Sequence, residues 1–219
     1  MNGGTDHYDL NCNDKLKKTL DSTKISKYDE AVVKSYKKFV GENNLKELTR
    51  VFSPEKFARN WKQVMCSPST KILGSGPNYS SVEATYKLKK DGIVSVKNDA
   101  FDTDFYRVSI TGTSRARDAH VPTCRTVNFD NILKIEGDYW LIFATPSFKS
   151  CIVAAPIILR LFNRPLVIAK NFGFYVLTRN RRKFWSSPEE YQPIIDALKK
   201  YRFNKFWNKP VATAETFEF

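Results

Sequence analysis

Residues 80–102 read SSVEATYKLKKDGIVSVKNDAFD, and no other stretch limits the fold as much. Val82, Ala84, Tyr86 and Leu88 alternate with Glu83, Thr85 and Lys87, the period of a strand with one buried face. Asp91-Gly92 supplies a pair suited to left-handed turn conformations. Val94, Val96 and Asn98 then alternate with Ser95 and Lys97. The pattern predicts a β-hairpin. An isolated hairpin is marginally stable in water, so the rest of the chain must supply more sheet to bury its apolar face.

Strand signals before and after the hairpin meet that demand. Residues 61–66 read as a strand, followed by a Ser/Gly/Pro-rich loop over 67–79. Residues 105–113 alternate, 115–123 form a polar loop with Pro122, and Phe129, Leu133 and Ile135 mark another strand. Gly137-Asp138 reads as a tight turn. Residues 139–144 are apolar throughout, Pro146 interrupts, 151–155 resume, and 173–178 form the last strand. No helical crossover intervenes, so the sheet is antiparallel. The expected fold is all-β: an eight-stranded antiparallel up-and-down β-barrel with a C-terminal α-helix and a helical N-terminal extension.

The extension covers residues 1–50, and the barrel with its helix and tail covers 51–219. Ser26 can cap a helix in which Tyr28, Val32, Tyr36, Phe39 and Val40 recur at helical spacing, with Gly41 as its stop. Leu45, Leu48, Val51 and Phe52 suggest a second helical piece, and Ser53-Pro54-Glu55 begins a short turn. This thin apolar stripe packs either on the outside of the barrel or on a partner. At the other end, Ser187-Pro188-Glu189-Glu190 is a capping-box pattern, and Tyr191, Ile194, Ile195 and Leu198 form one apolar face. Pro193 predicts a kink or a delayed start. The tail carries Phe203, Phe206 and Trp207.

Hydrophobic residues make up 42%, enough for a core. Lys plus Arg number 36 against 23 Asp plus Glu, a net charge of +13. The charges are spread out and no nucleic-acid motif accompanies them, so a solvated basic surface is the preferred reading and nucleic acid is not an expected partner. No apolar run is long enough to cross a membrane as a helix, so membrane contact is at most peripheral. The N-terminus lacks the apolar core of a secretory signal, which leaves a chain intracellular as made or shown with its leader removed. Cys12, Cys66, Cys124 and Cys151 are widely spaced; they allow one or two disulfides of undetermined connectivity and argue against zinc. His7 and His120 have no nucleophile or carboxylate at a catalytic spacing. The expectation is a protein without catalytic residues, cofactor or metal.

Residues from about 51 to 210 resemble the lipocalins, in particular the bacterial outer-membrane lipocalin and apolipoprotein D branch. The segment from Phe52-Ser53-Pro54-Glu55-Lys56-Phe57 into Asn60-Trp61-Lys62-Gln63-Val64 is similar to the family's short helix and Gly-x-Trp opening, with Arg59 where Gly is usual. Ala84-Thr85-Tyr86-Lys87-Leu88 through Asp91-Gly92 to Val96-Lys97-Asn98 resembles its second and third strands. Tyr139-Trp140-Leu141-Ile142, then Tyr175-Val176-Leu177-Thr178-Arg179 and the helix, complete the order. The Arg at position 59 and the long 156–171 connection mark a divergent member. The resemblance implies that Trp61 and Arg179 meet at the closed end as a structural cation–π pair.

Side-chain alternation then assigns the inner face strand by strand. With Trp61 inward, Gln63 and Met65 follow. Ala84 and Tyr86, Val94 and Val96, and Tyr106, Val108 and Ile110 add their strands, as do Phe129, Leu133 and Ile135. The family register makes Tyr139, Leu141 and Phe143 inward, with Cys151 and Val153, and with Gly173, Tyr175 and Leu177 in the last strands. These residues either line a ligand cavity or fill a solid core; the small ones, Ala84, Val94, Val96, Val153 and Gly173, favour space. Residues 156–171 are far longer than a hairpin turn needs and carry Ile158, Leu161, Phe162, Leu166 and Ile168. They extend the last hairpin past the barrel mouth, where apolar side chains must form a lid, dock on another chain or dip into a membrane surface. Pro156 and Pro165 disfavour one amphipathic helix, so a lid or a protein contact is preferred.

Two functions follow. The first is a carrier of a small hydrophobic molecule such as a fatty acid, lysophospholipid, sterol or pigment. The alternative is a non-catalytic interaction protein that uses the barrel in a larger assembly such as a virus particle, with partners bound through 1–50 or 156–171.

Overall fold

The alternating segments pair in sequence order into one meander. The computed structural model describes residues 25–73, 78–130, 136–162 and 164–215. The strands are β1 (Asn60–Cys66), β2 (Ser80–Leu88), β3 (Val94–Phe101), β4 (Arg107–Ala116), β5 (Cys124–Phe129), β6 (Glu136–Ala144), β7 (Ser150–Leu161) and β8 (Arg164–Thr178). Each is antiparallel to the next, and β1 pairs with both β8 and β2, which closes the barrel. A two-residue β9 (Val211–Ala212) joins β1 where β2 no longer reaches.

The opening hairpin forms as its pattern predicts. Asp91 (φ 59°) and Gly92 (φ 69°) take the left-handed conformations that turn it. Across the sheet Trp61 faces Ala84, Ala84 faces Asn98, and Asn98 faces Ile110, so all four share the inner wall. Their alternates form ion pairs outside: Lys62 with Glu83, and both Lys97 and Arg107 with Asp99. At Gly112 an added Cβ would lie 2.2 Å from the Asn128 carbonyl oxygen, so β4 passes β5 too closely for any side chain. Gly112→Ala should therefore destabilise the barrel by about 1–3 kcal/mol; an unchanged denaturant midpoint would rule out this close passage.

Strand boundaries differ from the sequence pattern on the second half of the sheet. β4 starts at Arg107, and β5 occupies Cys124–Phe129 ahead of the Leu133 and Ile135 signal, which lies outside the described residues. Gly137 and Asp138 are not a turn; they sit inside β6 opposite Val127 and Thr126. Bulges then reverse two faces. Between Gln63 and Met65 the register slips, so Met65 stands opposite outward Val176. Between Leu141 and Phe143 it slips again, so Phe143 shares the face of Ile152.

Helices cover the outer wall. α1 (Lys27–Val40) is capped by Ser26, which accepts from the Asp29 N–H, and ends at Gly41 (φ 81°); α2 (Glu42–Val51) follows. The described part of the extension thus packs on the barrel itself: the Tyr36 hydroxyl donates to the Leu141 carbonyl at 2.7 Å, and its ring meets Trp140 edge-on. α3 (Pro54–Phe57) leads into β1, while α4 (Arg181–Ser186) and α5 (Pro188–Lys200) follow β8. α5 runs unbroken through Pro193, and the Ser187 side chain makes no capping bond; its carbonyl accepts from Glu190 and Tyr191 instead. Trp140, Ile142, Ile152 and Ala154 are consequently buried on the outer face of β6 and β7.

One ion cluster pins α1 to the sheet. Arg117 donates from Nε to Asp138 at 2.7 Å and from Nη1 to Asp29 of α1. Cys66, Cys124 and Cys151 are buried free thiols, and Cys12 lies outside the described residues.

Candidate functional site: the barrel interior

One end of the barrel is sealed from two sides. Ser53 caps α3, and the turn sets Phe57 beneath Trp61, whose indole N–H donates to the Phe57 carbonyl at 2.9 Å. The Arg179 guanidinium lies 3.4 Å from the Trp61 ring centre and donates to the Asn60 and Lys56 carbonyls. Phe148 closes edge-on against Trp61. From the far wall Arg125, on the inner face of β5, donates to Ser114 Oγ and to the carbonyls of Ser114, Pro122 and Gly92. Burial lowers both Arg125 and Arg179 to about 10, so both stay charged near neutrality. Among the described residues neither has a carboxylate partner.

Above this floor the wall is apolar with a few neutral polar groups. The hydroxyls of Tyr86 and Tyr139 are 2.7 Å apart, and the Tyr139 ring stacks against Tyr175. Burial raises Tyr86 and Tyr139 and pushes the Cys151 thiol up to about 12, so all three stay protonated. Inward-facing Asn98 has a buried Oδ1 without a hydrogen-bond partner.

The opposite end carries the β1–β2, β3–β4, β5–β6 and β7–β8 connections. Exposure rises along the inner face of β4 toward it: Ser114 is 1% exposed, Ile110 half-buried, Val108 36%. The 3-10 turn Pro68–Leu73 leans across the β8 side of this mouth, where an added Cβ on Gly173 would come 3.0 Å from Thr70 Cγ2.

Of the residues assigned inward from sequence, the register brings together Ala84, Tyr86, Val94, Val96, Ile110, Tyr139, Leu141, Val153, Tyr175 and Leu177, with Val108 at the rim. Met65 and Phe143 are turned out by the bulges. Tyr106 is 71% exposed in the β3–β4 turn, because the Asp102 carboxylate accepts its N–H and holds that turn. Leu133 lies outside the described residues. Pattern reading put Asn98 in phase with Val94 and Val96 without counting it in the inner wall, and missed Phe57, Arg125 and Phe148. Arg125 had a signal: in CRTVNF it alternates in phase with Val127 and Phe129, once the strand is placed at 124–129.

A closed antiparallel barrel, sealed by arginines at one end and open at the other, defines the class of calyx-shaped barrels. A family profile described as a lipocalin-like domain matches residues 55–163. The profile and the closed barrel together support the lipocalin family, with this chain as a divergent member. Its fold is similar to apocrustacyanin C2 (TM-score 0.56, 13% identity, 81% of this chain and 87% of that one). It is also similar to apocrustacyanin C1 (0.55, 12%, 80% and 86%) and lobster apocrustacyanin A1 (0.54, 13%, 80% and 85%). No curated protein matches the chain.

Proposed function

We propose that the barrel binds a small hydrophobic molecule, entered through the open end, and that the preferred class is a single-chain amphiphile with an acidic head, such as a fatty acid. The observation that carries this reading is the polar arrangement over the floor. Buried Arg125 and half-buried Arg179, neither with a carboxylate partner among the described residues, lie at the sealed end below the Tyr86–Tyr139 hydroxyl pair, in a wall that is otherwise mostly apolar. Hydroxyl donors backed by positive charge suit a carboxylate better than a sterol alcohol. The chain's apolar remainder then lies along Ala84 and Ile110 toward Val108 at the mouth.

The test compares a fluorescent fatty acid with the alcohol of equal length. The acid should bind about tenfold more tightly. Tyr139→Phe should weaken acid binding several-fold, about 1 kcal/mol for one hydrogen bond, and should lower stability by no more than a similar amount, leaving the protein folded. Tyr86→Trp or Tyr175→Trp should reduce uptake of either compound by filling the space. Equal affinity for acid and alcohol would remove the head-group assignment, and no uptake of either at micromolar concentration would remove the carrier reading.

A further inference from the structure

The last hairpin outgrows the barrel. β7 and β8 stay paired out to Leu161–Arg164, whereas β6 holds β7 only as far as Ala154 and β1 holds β8 only as far as Tyr175. The free ribbon has two unlike faces. On one, Arg160 stacks 4.7 Å over the Tyr28 ring of α1. On the other, Leu159 faces Leu166 with Leu161 one step beyond, and all three are about half exposed. Phe162 at the tip is 99% exposed. Residues 156–171 contain Arg160, Arg164 and Lys170 and no acidic residue.

A second exposed aromatic group adjoins it. Asn208 donates to the carbonyls of Asn171 and Arg202, which fastens the tail to the base of the ribbon beside Phe206 (96% exposed) and Trp207. Residues 197–214 hold Lys199, Lys200, Arg202, Lys205 and Lys209, again with no acid. The β3–β4 turn at the same end exposes Phe105 and Tyr106 too, but there Asp102 and Asp104 precede them and only Arg107 follows, so it adds apolar surface without net positive charge.

We propose that this open end docks on an anionic phospholipid bilayer, with Phe162, Leu161 and Phe206 at head-group depth and Arg164, Lys170 and Lys205 on the lipid phosphates. Charge complementarity selects this occupant. Apolar side chains ringed by cations are what an anionic interface binds. A second copy would bring the same cationic patch against itself, since a two-fold contact is self-complementary. The geometry turns the barrel mouth toward the membrane.

The full-length protein is sedimented with phosphatidylcholine vesicles, with and without phosphatidylserine. Binding is expected with phosphatidylserine, with a blue shift of Trp207 emission and loss at high salt. Phe162→Ser with Phe206→Ser, and separately Arg164→Glu, should each weaken it by about tenfold or more with an unchanged melting temperature. No binding to phosphatidylserine vesicles, or variants that bind like wild type, overturns the proposal. A wild-type dimer that ignores vesicles and dissociates on Phe162→Ser overturns it in favour of a second copy. Tyr139→Phe, which weakens the ligand site, should bind vesicles as wild type does, so this proposal and the carrier reading fail separately.

Discussion

Trp61→Ala is expected to destabilise the protein by about 3–5 kcal/mol, the cost of emptying a fully buried aromatic site. The indole is at 0% exposure and touches Phe57, Phe148 and the Arg179 guanidinium. Its removal leaves a cavity at the sealed end and takes the stacking partner from a half-buried cation. Trp61→Phe keeps a ring but loses the hydrogen bond to the Phe57 carbonyl, and should cost about 1–2 kcal/mol. Denaturant unfolding monitored by circular dichroism checks both. A stability unchanged by Trp61→Ala would mean that this end is not closed by the Trp–Arg pair.

The second large effect is expected at Arg117, a residue that no motif marks. Its side chain is 3% exposed, with Asp138 at 7% and Asp29 at 14%. Burial pushes both carboxyls up. At Asp29 the hydrogen bonds from Ser26 and Arg117 outweigh it and leave that group below its ordinary value, whereas at more deeply buried Asp138 burial prevails. Arg117→Met would strand two carboxylates, at a cost of about 3–5 kcal/mol. Because Asp29 belongs to α1 and Asp138 to the sheet, the loss should appear first as faster hydrogen exchange over residues 27–40. The double variant Arg117→Met with Asp138→Asn should recover part of the loss. Unchanged exchange in α1 would show that the helix is held by its apolar face alone.

The barrel was legible wherever alternation was clean. β2 and β3 have one wet face and one dry face, and every alternate residue reports its side. The Trp61–Arg179 pair was readable only through the family resemblance, since neither residue type announces the other. What failed has two physical causes. Where helices cover the outer wall, as over Trp140 and Ile142, both faces of a strand are apolar and alternation carries no phase. Bulges at Val64 and Ile142 then reverse the register locally, which is why Met65 and Phe143 point the other way. Gly137-Asp138 misled because glycine and aspartate usually mark turns, whereas here Asp138 serves as the partner of Arg117. Arg125 escaped notice because the strand signal falls at Phe129, Leu133 and Ile135 and not over 124–129, so its phase with Val127 and Phe129 carried no weight. The exposed apolar ribbon, by contrast, was evident from composition: residues 156–171 are too apolar for a loop and too long for a turn.

The central claim of the proposed function is that the barrel interior above the arginine floor takes up an amphiphile. The most direct measurement is mass spectrometry of an organic extract from the purified protein, before and after incubation with a mixed fatty-acid and sterol pool. A single-chain acid recovered near one equivalent from wild type, and depleted in Tyr86→Trp, is the predicted result. An extract that stays empty after incubation, from a protein that remains folded, would contradict it.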